Sequence, residues 1–221
     1  MSGGGRMDRD AAVDRLESIV DRVETARMPV PVREVWAFGD VALGLDPIAR
    51  LDVYLTKDVL MRGDADAARD FESEYGIKGV GTTVRADWAA ANPDRVRASD
   101  NGYAAPERCL AAELIGETDE PIHLEVCNAS FEDNVTQRLK GALAREAYEE
   151  VLDPRGVCLW ADGRRDGEAF ERLRAASFAM PTLQAALGML GVNDEQAGEI
   201  AEVLAATRGE QEGSSVRGDM I

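Results

Sequence analysis

Lysine is nearly absent from this 221-residue chain. Only Lys57, Lys78 and Lys140 occur, so the 25 basic residues are almost all arginine and stand against 42 acidic ones. Aromatic residues make up 5% of the chain, there is one histidine, His123, and there are three cysteines. Each scarcity removes a class of function. Without a basic stripe, aromatic stacking motifs or a recognisable reading head, nucleic-acid binding is disfavoured. With a single histidine and no G-x-S-x-G elbow, a Ser-His-Asp or Cys-His centre would have to be built on His123, and no nucleophile motif accompanies it. Cys109, Cys127 and Cys158 are odd in number and widely spaced, with no C-x-x-C pair, which argues against structural zinc and for free thiols in a reducing cytosol. No run approaches the roughly 20 apolar residues that span a bilayer. Residues 1–7 form a glycine-rich leader without the apolar core of a signal peptide, and Met7 is an alternative start. These features predict a cytoplasmic location and no cofactor, and they leave a protein partner as the open kind of interaction.

The formal net charge is −17 and the sequence pI is about 4.5. An acidic, lysine-poor, arginine-using composition is that of a halophilic protein. In molar salt the Debye length shrinks to about 3 Å, so the carboxylates hydrate the surface without repelling one another.

Hydrophobic periodicity divides the rest. Val13, Leu16, Ile19, Val20 and Val23 recur at helical spacing over 8–27, and Pro29 and Pro31 end the helix. Residues 32–38 and 51–56 read as strands, rich in β-branched and aromatic residues. Helices are predicted over 64–75, closed by Gly76, over 85–91 and over 107–115, with a weaker third strand at 77–84. Ile122, Leu124 and Val126 alternate with His123, Glu125 and Cys127 in a further strand. Ser130 caps a helical region that runs to about residue 152 with a break at Gly141, and 157–160 is a short strand closed by Asp162-Gly163. From residue 164 the pattern turns helical, with Phe170, Leu173, Leu183, Leu187, Ala197, Ile200 and Leu204 on buried stripes. Residues 207–221 read as a disordered tail. The expected fold is α/β (α+β): a mixed sheet flanked by helices over 8–163, then a helical C-terminal element over 164–206.

The segment from Val35 to Leu55 reads as strand, glycine turn, short helix, loop and strand. The turn holds Gly39 and Asp40 with Gly44 behind it, and the second strand carries Asp52. That order resembles the core motif of the polymerase-beta-like nucleotidyltransferases, a glycine-serine turn followed by an Asp-x-Asp strand. The resemblance covers about 32–127. It implies that a small turn would admit a triphosphate to backbone amides, and that two acids one residue apart would share a strand face and bind metal ions. Gly39, Gly44 and Asp52 agree with the pattern, and Glu125 suits the third carboxylate. Asp40 stands where serine is expected and Arg50 where the first acid is expected, so a cation replaces a metal ligand. The chain as a whole also resembles one of the protein families restricted to haloarchaea, which supplies no activity.

Arg50 has two readings. It neutralises Asp52 and Glu125 as a charge cluster in place of metal, or it binds a phosphate in a site without catalysis. Buried carboxylates need a partner, which favours the first. No catalytic residue and no metal ligand is therefore assigned. A non-catalytic nucleotidyltransferase-like domain acting by binding is the leading expectation. Its rivals are an active metal-dependent enzyme that uses Asp46 for the missing acid, and a structural or regulatory protein of unrelated α/β fold. A closed cluster with Arg50 supports the first, adjacent carboxylates in an open cleft the second, and distant residues the third. Two features have bland readings: the face of His123, Glu125 and Cys127 as a partly exposed strand, and Arg164 and Arg165 as a solvated helix start.

Overall fold

A computed structural model describes residues 6–60, 64–209 and 213–218. The described strands form one mixed sheet flanked by helices, ordered β5-β4-β1-β2-β3-β6. These are β1 (Val32–Phe38), β2 (Leu51–Lys57), β3 (Ile122–Cys127), β4 (Gly156–Ala161), β5 (Arg164–Arg165) and β6 (Ser215–Arg217). Strand β1 lies antiparallel to both β2 and β4, and β3 runs parallel to β2 and β6.

Side chains alternate across a strand, so the register sorts the sheet into two unlike faces. On one, Val35, Ala37, Val53, Leu55, Leu124, Val126 and Leu159 form an apolar floor. Against it pack α1 (Arg9–Thr25) with its Val13, Leu16, Val20 stripe, α5 (Pro106–Leu114) and α7 (Gly167–Arg174). Helix α1 begins where the Asp8 carboxylate accepts the Ala11 amide at 2.8 Å. The other face carries Glu34, Trp36 and Phe38 of β1, Asp52, Tyr54 and Thr56 of β2, and His123, Glu125 and Cys127 of β3. Helix α6 (Phe131–Arg145) lies over it, with Phe131 stacked on Trp36 at 4.8 Å and edge-on to Tyr54 at 5.3 Å. Beyond α6, α8 (Leu183–Met189) and α9 (Asp194–Gly209) join through Leu187, Ile200 and Leu204. A satellite cluster around Phe71 and Trp88 is built on α2 (Ala65–Tyr75), α3 (Val80–Thr83) and α4 (Ala86–Ala91). No described helix is long and apolar enough to cross a membrane.

Several local expectations change. The strand expected over 77–84 is the short helix α3. Gly79 turns the chain at φ +72°, and Gly81 fits against α2 where a Cβ would stand 2.5 Å from Ala68 Cβ. Helix α6 runs unbroken through Gly141 and stops at Glu146, which adopts φ +55°. The short helix after Gly39 is only a turn, closed by the Leu43 amide on the Gly39 carbonyl at 2.9 Å. Asp162 and Gly163 both have positive φ and make a tight hairpin, so Arg164 and Arg165 form β5 and not a helix start. Arg165 is held by Asp21 and Glu24 of α1. The disordered tail is corrected as well: α9 continues to Gly209, and 215–217 pair with β3, while 210–212 and 219–221 lie outside the described residues. In the leader, Met7 is buried and bridges Ile48, whereas residues 1–5 are outside the described residues.

Gly156 opens β4 beneath the aromatic cluster, and a Cβ there would stand 2.6 Å from the Phe131 ring. That ring is clamped between Trp36 and Tyr54 and cannot give way cheaply. Gly156→Ala should therefore cost about 2 kcal/mol, as overpacking does. Urea unfolding at matched salt reads it as a lower midpoint with an unchanged slope.

Candidate functional site

The second face of the sheet is not solvated. Glu125 is 3% exposed, Cys127 5%, and Asp52 is fully buried, which corrects the expected half-exposed strand. The alternation was real, but α6, α9 and β6 cover what it presents. Beneath them lies a cavity of about 350 Å³. Its floor comes from the sheet side: Arg50 just before β2, His123 and Glu125 of β3, and Arg217 of β6, with Arg138 reaching in from α6. Its roof is mostly apolar, formed by Leu183 of α8 and by Ala201, Leu204, Ala205 and Thr207 of α9.

Each buried carboxylate here is matched to a guanidinium. Arg50 Nε donates to Asp52 Oδ1 at 2.6 Å. Arg138 binds Glu125 through Nη1 and donates from Nε to the Glu150 carbonyl at 2.7 Å. Arg155 grips Asp153 in a fork, Nε to Oδ1 at 2.9 Å and Nη2 to Oδ2 at 2.8 Å. That bidentate geometry makes the pair strong and directional. Arg217 Nε stands 3.9 Å from Glu125 Oε1, and His123 places Nε2 3.5 Å from Glu125 Oε2 while Nδ1 meets Ser215 Oγ at 2.8 Å. Strand β6 thus closes the floor through the side chains of Ser215 and Arg217.

Burial pushes the Glu125 carboxyl up, but the His123 hydrogen bond and the Arg138 and Arg217 charges outweigh it and hold it below its ordinary value. A depressed carboxyl stabilises the fold above the unfolded value of about 4.3, and the contribution is lost as pH falls through the lower folded value. Glu125→Gln should therefore flatten the acid limb of a melting-temperature profile taken from about pH 7 to 3. Burial also lifts the Cys109 and Cys158 thiols to about 11, so neither is a thiolate at neutral pH.

The six residues singled out in sequence are divided by the fold. Arg50 and Glu125 line the cavity, and Asp52 lies directly behind Arg50. Gly39, Asp40 and Gly44 belong to the preceding turn, outside the lining. Gly39 and Gly44 are there for their positive φ, +66° and +77°. Asp40 Oδ2 accepts the Ala49 amide at 2.9 Å and the Arg50 amide at 3.4 Å, tying the loop to the start of β2. Arg50 pairs with Asp52, while Glu125 takes its cation from Arg138. Asp46 is exposed and does not line the cavity. Among the described residues, no group of three His, Cys, Asp or Glu side chains converges to hold a metal ion.

Sequence reasoning overlooked Arg138, Asp153, Arg155 and Arg217. Arg138 left a signal: Asn134, Arg138 and Ala142 follow one another at i, i+4 on α6, beside the buried Val135 and Leu139. A polar residue inside that stripe has to face the sheet. Arg217 left none, because a three-residue strand has no period to read.

Fold and cavity together define an α/β protein with an arginine-buttressed pocket on one sheet face. Residues 8–221 match the family of unknown function DUF7095, and the chain belongs to that family. No curated protein and no solved structure matches it.

Proposed function

We propose that the protein is a non-catalytic, nucleotidyltransferase-like domain that acts by binding, with the cavity over β2 and β3 as its site. The Arg50–Asp52 pair carries this reading. A guanidinium nitrogen sits 2.6 Å from a fully buried carboxylate, in the position where the resemblance calls for a metal-binding acid. Glu125 is likewise engaged, by Arg138 and His123. Two-metal catalysis needs carboxylates free to bridge two ions. Here a cation already faces each one, and a second cation brought alongside would meet its repulsion. The strand-turn-strand of β1 and β2, with β3 parallel beside β2, is consistent with the resemblance. A haloarchaeal origin and a cytoplasmic location belong to the same proposal, supported by the acidic, lysine-poor composition.

The test is incubation in molar salt with magnesium or manganese, labelled nucleotides and mixed acceptors. No transfer is expected. Turnover that disappears in Asp52→Ala would overturn the reading and put an active enzyme in its place.

A further inference from the structure

The polar floor and apolar roof of the cavity narrow what it can hold. We propose that it binds, without metal, an amphiphilic organic anion: one carboxylate or phosphate head at Arg50, and an apolar body against Leu183, Ala201 and Leu204. This rests on the binding reading above and adds the class of ligand.

Three observations converge. The first is an unmet donor. The Arg50 side chain is 12% exposed, its Nε is committed to Asp52, and its Nη1 is buried with no hydrogen-bond partner. A buried N–H without an acceptor costs about 1–3 kcal/mol, and a turn of the Arg50 guanidinium toward a ligand oxygen in the cavity it lines recovers it. The second is charge balance. Arg50, Arg138 and Arg155 pair with Asp52, Glu125 and Asp153, Arg217 stands 3.9 Å from Glu125, and the exposed Glu149 brings the count to four of each sign, in a protein of net charge −17. One anionic group is tolerable among four guanidiniums. A triphosphate adds several charges to a balanced site and has no metal cluster to offset them. The third is shape. The roof residues come from α8 and α9 and offer one hydroxyl, Thr207, which is already donated to the Val203 carbonyl at 2.9 Å, and about 350 Å³ accommodates a small molecule and not a polymer.

The experiment is calorimetric titration of the full chain in molar potassium chloride with EDTA. The probes are hexanoate, hexyl phosphate, hexanol and inorganic phosphate, with the triphosphate ATP as a further arm. Saturable binding of one or both hexyl anions at one site per chain is expected, and whichever binds tighter identifies the head. Hexanol and inorganic phosphate should each bind about tenfold or more weakly, because each lacks one half of the match. Ala201→Trp fills the roof without touching the ion pairs, and should weaken the hexyl anions by about tenfold or more while its melting curve stays cooperative. Hexanol binding as well as the anions, or anion binding that ignores Ala201→Trp, would overturn the proposal. So would absence of binding by both anions to the folded protein. If ATP then bound without metal, the ligand class would fall and the binding reading would stand. Metal-dependent turnover would remove the binding reading itself.

Discussion

Arg50→Met should destabilise the protein by on the order of 3 kcal/mol, since removing one partner of a buried ion pair leaves the other charge under-compensated. For a chain of this size that is a fall of roughly 6–12 °C in melting temperature. Asp52 is fully buried in the central strand β2, with β1 and β3 on either side. The Arg50 guanidinium stands 2.6 Å away. Methionine keeps most of the stem volume, so the loss reports charge and not packing. Arg50→Met with Asp52→Leu should recover most of it, because an apolar replacement of a buried pair is often neutral. Thermal melts of the single and double variants in molar salt check both numbers. A single variant within about 0.5 kcal/mol of the parent would mean that Arg50 does not neutralise Asp52.

Salt should act on the whole molecule. Raising potassium chloride from about 0.1 M to a few molar should raise the melting temperature by roughly 10 °C or more. Two effects oppose each other. Salt screens repulsion among the surplus carboxylates, and it also weakens the surface ion pairs. Magnitude decides between them: exposed pairs contribute about 0–1 kcal/mol each. Many of them are short of cations. Arg174 alone serves Asp10, Asp14 and Glu17, so three carboxylates of α1 share one guanidinium. With 42 acidic residues against 25 basic ones, relief of repulsion outweighs the pairs that are lost. A melting temperature that is flat or falling across the salt series would remove the halophile argument.

The parts of the fold visible in sequence were those long enough to repeat an apolar position along one face. Helix α1 and strands β1, β2 and β3 each repeat an apolar position several times. The parity of Asp52 on β2 and of Glu125 on β3 put each acid on the polar side of its strand. That both share one face follows from the parallel register of the two strands, which pairs Asp52 with His123 and Tyr54 with Glu125. What escaped was short or set by tertiary contact. Helix α3 has four residues and owes its place to the missing side chain of Gly81, while β5 and β6 have two and three residues. The site was half legible for the same reason. Asp52 and Glu125 sit in strands with a pattern and Arg50 just before one, but Arg138, Asp153, Arg155 and Arg217 arrive from α6, from the loop before β4 and from β6, brought together only by the folded chain.

The contact between His123 and Ser215 joins residues 92 positions apart. Strand β6 is a three-residue edge strand paired with β3 alone, whereas β2 is locked between β1 and β3. The last strand is therefore the first unit to open, and its amides should exchange with solvent well before those of β2. Arg217 leaves with it. A molecule can thus hold an intact core and a normal melting transition while part of its floor is missing, so abundance and thermal stability alone would overlook variants that have lost the pocket.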